Sequence, residues 1–284
     1  AAQIHALGKT LAASSTALDL DTAVFIAAVV VIVYTSLGGM MADVVTDVFQ
    51  GAVLVIGLLI VTIAVMAQSG GPGAALELAL ASPPEREPTV PMPFLDVLEA
   101  WALPILGSVT AQEVVSRSLA SRCPATARRA GLFGGGAYLL IGLMPLFLGL
   151  IAAQRHSGLE DGESALPVLA MSVLPSIGYV VFAGALISAI LSTVDSALLA
   201  AGSVISRNLL LAGRSDVSPR ARLWTARFSV VGSGLVAWVM ARGSDSVMTS
   251  IENASGFGSA GVLVCVIVAL FTRRGGALAA GMAL

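Results

Sequence analysis

Apolar residues dominate seven stretches of the chain, and polar residues collect between them. The stretches lie at about 23–37, 46–67, 97–115, 130–153, 176–206, 223–241 and 255–272. A helix of roughly 20 apolar residues, rising 1.5 Å per residue, spans the ~30 Å hydrocarbon core of a bilayer. Each stretch therefore predicts a membrane-spanning helix. Residues 1–14 predict the remainder of one more. Residues 68–96 and 154–175 are expected to be external loops, and Pro83, Pro84 and Pro88 argue against a regular helix in the first. The whole of 1–284 is expected to be one transmembrane domain.

Composition agrees with that pattern. The chain has 284 residues, 57% hydrophobic and 11% charged, where a soluble domain carries about 25% charged residues. An all-α polytopic membrane protein is the expected class, and no nucleic-acid partner is expected. The net charge of -2 says little, but the placement of charges says more. Arg117, Arg122, Arg128 and Arg129 share one connection, Arg207, Arg214, Arg220 and Arg222 another, and Arg273 and Arg274 follow the last stretch. Basic connections mark the cytoplasmic side. The acidic connections, with Glu77, Glu85 and Glu87 or Glu160, Asp161 and Glu163, are then external. The turn 38–44 is cytoplasmic by parity, without a basic residue to support it. Two cysteines, Cys123 and Cys265, suggest no disulfide framework, and His5 and His156 are too isolated for a zinc site. The opening AAQIHALGKTL has no initiating Met, and the chain reads as a fragment of something longer.

Polar residues inside the apolar stretches carry the candidate chemistry. In ISAILSTVDSALLAA, 187–201, Ala189, Ser192, Thr193 and Ser196 recur at helical spacing on one face, with Ser188 and Asp195 beside it. Small and hydroxyl residues serve close helix packing. Asp195 is different, because a charge at this depth costs roughly 2.5–3.5 kcal/mol on insertion scales and marks ion pathways. Hydroxyl and carbonyl oxygens suit a hard cation such as sodium. A hydroxyl can also bond back to the carbonyl one turn earlier, which keeps an empty site affordable. Asp43, Thr46, Asp47 and Gln50 share a face at the start of 46–67. They could equally be helix-terminal acids with Thr46 as a cap. Pro104 and Gly107 interrupt 97–115 ahead of Thr110, Gln112 and Glu113, and broken helices build transporter substrate sites. GLFGGGAYLL, 131–140, predicts close helix packing.

Several of these stretches together resemble the sodium:solute symporter family. YTSLGGMMADVVTDVFQG (34–51), QEVVSRSLASRCPATARRA (112–130), SAILSTVDSALLAAGSVISRNL (188–209) and FGSAGVLVCVIVALFTRRGGALAAG (257–281) occur in the family's order. The resemblance implies a leucine-transporter-like fold of two inverted five-helix repeats, here truncated at its N-terminus and covering core helices 3 to 10. It implies a multi-pass protein of the cell membrane that couples Na+ to a small organic solute and is not an enzyme. By position, Ala189, Ser192 and Thr193 match half of the family's common sodium site, whose other carbonyls come from core helix 1. Asp47, Ser196 and Asp195 match a second sodium site of some members, which often have a hydroxyl where Asp195 stands. Asp43 departs from the usual apolar residue and is expected to be a charge at the cytoplasmic end. Gln112 and Glu113 are the substrate candidates. Proton coupling, or a sensor region of a signalling protein, are the alternatives. A fragment of this extent is not expected to transport by itself.

Overall fold

The computed structural model describes residues 1–13, 18–81, 93–109, 111–156, 159, 162–214, 216–243, 246–272 and 276. Its elements are helical: α1 Ala2–Ala13, α2 Leu20–Gly38, α3 Met40–Gln68, α4 Pro72–Leu80, α5 Phe94–Val109, α6 Gln112–Leu119, α7 Pro124–Arg155, α8 Ala165–Val173, α9 Ser176–Val204, α10 Pro219–Arg242, α11 Val247–Phe257 and α12 Val264–Phe271. A short 3₁₀ turn, Gly162–Ser164, precedes α8. A π-helical turn, Ile205–Leu210, prolongs α9, and another, Gly258–Leu263, joins α11 to α12. Seven segments among the described residues are long and apolar enough to cross a membrane, and they coincide with the seven predicted stretches. Their outward faces carry large apolar side chains such as Leu119, Phe133, Ile177 and Phe271. In water these would form a patch far beyond a soluble protein's tolerance, and lipid is their natural solvent.

Local chemistry sets several helix ends. Asp19 caps α2 by accepting from the Thr22 amide at 3.1 Å and the Thr22 hydroxyl at 2.7 Å. Those two bonds hold its carboxyl below the usual range. Ser218 caps α10, and prolines occupy the first turn of α4, α7 and α10, where a missing N–H costs nothing. Gly39 alone separates α2 from α3. Its φ of +78° is open to glycine and strained for other residues, and an added Cβ would meet no atom. The reversal is therefore a conformational demand, not a steric one.

Two apolar cores share α9. One joins Leu58, Val61 and Val65 of α3 with Leu148 and Ile151 of α7, Leu169 of α8 and Phe182 of α9. The other joins Ile4 and Leu7 of α1, Val24, Ala27 and Val31 of α2, Val194 and Leu198 of α9 and Val230 of α10. The stretch 189–196 thus lies where one core ends and the other begins. Gly202 lets α9 approach α10: a Cβ there would lie 3.1 Å from the Val230 amide nitrogen and 2.5 Å from its Cγ2.

Four expectations change. The segment 68–96 is not all loop, because α4 forms ahead of Pro83, whose restriction reaches only its own turn. The segment 154–175 likewise holds a 3₁₀ turn and α8. Pro104 and Gly107 do not break α5. The helix runs through both to Val109, since one proline forfeits a single backbone bond, and α6 starts at Gln112 after the non-helical Ala111. Finally, Gly131, Gly134, Gly135 and Gly136 pack against nothing within 4 Å, so that glycine face of α7 is open.

Candidate ion-binding site

The site is built on one face of α9 and the first turns of α3. The Thr193 hydroxyl donates to the Ala189 carbonyl at 3.2 Å, the one-turn back-bond expected of a resting hydroxyl ligand. It joins two of the three positions matched to the common sodium site. The Ser192 hydroxyl turns the other way and donates to Asp47 Oδ1. Ser192 therefore connects the residues matched to the common site with those matched to the second site.

Asp47 and Asp43 lie four residues apart on α3 and face α9. Asp47 Oδ2 accepts from Arg117 Nη2 at 2.5 Å. The same nitrogen donates to Ser196 Oγ at 2.6 Å and lies 3.5 Å from Asp43 Oδ2. The Ser196 hydroxyl donates to Asp43, 3.1 Å from each carboxylate oxygen. Asp43 is only 4% exposed. It lies in the first turn of α3, the helix end expected for it, and is at the same time a buried member of the cluster. A lone buried carboxylate is costly, and hydrogen bonds with an opposite charge offset that cost.

Thr46 is not a cap, because α3 begins six residues earlier at Met40. Its hydroxyl donates within α3 to the Ala42 and Asp43 carbonyls at 3.0 Å and accepts from Tyr34 Oη at 3.2 Å.

Asp195 stands apart from the grouping expected for it. It lies 100° around the helix from Ser196, which carries it onto the α2 side beside Thr35. Both residues are buried, and the Asp195 carboxylate faces the Thr35 hydroxyl. Asp43 and Asp47 are near enough to repel its charge.

Of the substrate candidates, Gln112 is exposed, and its Nε2 donates to Ser116 Oγ at 3.3 Å. It lines a cavity of about 900 Å³ together with Asp43, Arg117, Ser196, Arg207 and Arg222. The Glu113 side chain lies outside the described residues.

A second polar junction joins connections that the bundle brings together elsewhere. Glu163 accepts from Lys9 Nζ at 2.6 Å, the Ser246 hydroxyl at 2.9 Å, and the Val247 and Met248 amides at 2.8 and 3.2 Å. It ties α1 to the first amides of α11, where a carboxylate is favoured. Burial pushes its carboxyl up, but the bonds from Lys9, Ser246 and Met248 outweigh that and hold it at about 2.

Sequence reasoning missed Arg117 as a site residue by grouping it with the basic connection. The available signal was the pair Asp43 and Asp47 at helical spacing inside an apolar stretch, since two such acids require a cation. The spacing cannot say which cation comes.

The family model for the sodium:solute symporter family matches residues 1–283. The sodium/proline symporter 2 of Staphylococcus saprophyticus is 28% identical over 293 aligned positions, covering 96% of this chain and 55% of that protein. The sodium/pantothenate symporter of Haemophilus influenzae is 27% identical over 215, covering 74% and 44%. The chain spans about half the length of the curated relatives it matches. Among solved structures, a Na+-coupled sialic acid symporter in a substrate-bound outward-open state superposes with a TM-score of 0.68 at 17% identity, covering 95% of this chain and 65% of that one. That likeness establishes the leucine-transporter-like fold. A match along nearly the entire sequence, four motifs in order and a shared fold together mean that the chain belongs to the sodium:solute symporter family.

Proposed function

We propose that these residues form the core of a sodium-coupled symporter for a small organic solute. The observation that carries this reading is the α9 arrangement, with Ala189 O and Thr193 Oγ1 in contact and Ser192 beside them. Sodium displaces the Thr193 back-bond and takes both oxygens with the Ser192 hydroxyl. Neutral oxygens hold the ion weakly enough to release it, as transport requires.

Binding of sodium on α9 favours the arrangement that accepts solute, and rocking of one helix group against the other then carries both across. Each sodium moving through 100 mV supplies about 2.3 kcal/mol. A tenfold gradient adds about 1.4 kcal/mol. One ion can thus concentrate a neutral solute by several hundredfold, on the order of 500. The named relatives carry proline and pantothenate, and Gln112 and Glu113 remain the residues proposed to meet solute here.

Orientation follows from the charges. The end bearing Arg117, Arg207, Arg214 and Arg222 is cytoplasmic, and the Glu163 junction is external. The turn 38–44 has no basic residue of its own, yet Met40 and Asp43 line the same cavity as Arg207, Arg214 and Arg222, which supports its cytoplasmic placement. The test is solute uptake by the full-length transporter in proteoliposomes. An inward sodium gradient is expected to drive it. Uptake that follows a pH gradient with sodium absent on both sides overturns the reading in favour of proton coupling.

A further inference from the structure

The second position between α3 and α9 already has a cation, and it belongs to the protein. One guanidinium nitrogen of Arg117 contacts Asp47 at 2.5 Å and Ser196 at 2.6 Å, with Asp43 at 3.5 Å. Two carboxylates and a hydroxyl around one positive group would equally surround a small hard cation, since every donor is oxygen. Arginine is effectively always charged, so it competes for these oxygens under all conditions.

Arg117 also sits on a different part of the molecule from the groups it holds. Asp43 and Asp47 are on α3 and Ser196 is on α9, whereas Arg117 is on the eight-residue α6, which starts after the non-helical Ala111. Its side chain is half exposed toward the cavity lined by Gln112, Ser116 and Arg207, while Asp43 behind it is buried. The contact therefore closes one wall of that cavity with α6. Withdrawing α6 leaves Asp43 and Asp47 close together without their counter-charge, which is unfavourable until another cation arrives.

We propose that Arg117 is a tethered cation that occupies the second ion position, so that sodium and the α6 contact exclude one another there. The consequence is a transporter that couples one sodium per cycle while Arg117 is present, with Arg117 acting as a positioning residue for α6. The inference rests on the sodium reading of Ala189, Ser192 and Thr193, and the experiment separates the two.

Sodium activation of uptake is measured with the full-length transporter in proteoliposomes. The wild type is expected to show a Hill coefficient of about 1, Arg117→Gln a value approaching 2, and Arg117→Gln with Asp47→Asn a return to about 1, because a Hill coefficient is bounded by the number of sites. Arg117→Lys, which keeps the charge, is expected to stay near 1. A merely structural contact would change the rate and leave these coefficients alone. A wild-type value near 2, or no rise in folded Arg117→Gln, overturns the proposal. Should Arg117→Gln fail to fold, Asp47→Asn alone decides: it leaves the coefficient at about 1 if Arg117 holds the site, and a wild-type value above 1 that falls on this change overturns it. Thr193→Ala reports on the reading beneath. Unaltered sodium activation there removes the α9 site itself, whereas weakened activation with an unmoved Arg117→Gln coefficient removes only the tethered cation.

Discussion

Helices α7 and α9 are near twins in length and apolar character, and both are rich in small residues. They are used in opposite ways. On α9 two small residues meet neighbours, Ala185, which is buried, and Gly202, which lies against the backbone of α10, although Gly184 faces open space. On α7 the run Gly131 to Gly136 meets nothing, and burial begins only toward its far end at Leu148. On α9, Ser192 and Ser196 are engaged with α3 and α6, Asp195 is turned to α2, and Thr193 bonds back to Ala189. A small residue on a membrane helix is therefore an opportunity for close approach, and only an opposing backbone turns it into packing. The face proposed to bind sodium lies on the helix whose surroundings are fixed on both sides, which is where precise placement of oxygen ligands is attainable.

The sharpest way to break that contrast is to strip the α9 hydroxyls. Ser192→Ala with Thr193→Ala is expected to raise the sodium concentration for half-maximal uptake by at least about tenfold, since each lost polar ligand is worth roughly 1–3 kcal/mol. Unchanged sodium dependence would mean that the fixed surroundings of α9 serve packing alone. The matched glycines come next. Gly202→Ala must push a Cβ into Val230 and is expected to cost about 1–3 kcal/mol, read as a lower unfolding temperature in detergent micelles. Its counterpart Gly135→Ala meets open space and adds helix propensity, so it should be neutral or stabilising by up to about 1 kcal/mol. Equal losses at the two positions would show that the α7 face is packed after all.

The smallest effect concerns the joint between the two helices, where Glu163 sits. Its carboxyl titrates at about 2, below the ordinary 4.5. The junction's contribution is therefore complete above pH ~4.5 and is lost as pH falls toward 2. Thermal unfolding of the wild type should show this decline over that window, and Glu163→Gln should flatten it. A decline of the same size in the variant would assign the acid sensitivity to other carboxylates.

Much of this was legible before any coordinates. Apolar stretches placed the spans because hydrocarbon imposes length and composition on whatever crosses it. Helical periodicity put Ala189, Ser192, Thr193 and Ser196 on one face, and the basic connections marked one end. Other features were not legible. The helix α5 continues through Pro104, where a break was expected, and α4 formed within an expected loop, because helix ends depend on local competition that composition averages away. Asp43 stands at the helix end expected for it, but that Ser196 and Arg117 cover it was not legible.

The sequence by itself determined which segments cross the membrane and the angular position of each polar residue on its own helix. Both depend on local quantities, the 1.5 Å rise and the 100° turn per residue. The tertiary structure alone decided what stands opposite each face. It set Asp195 against α2, brought Arg117 to Asp47 across 70 residues, and left the α7 glycines open. Lipid tails and leucine side chains are equally apolar, so hydropathy reads the same whether a face meets lipid or protein, and only long-range packing tells them apart.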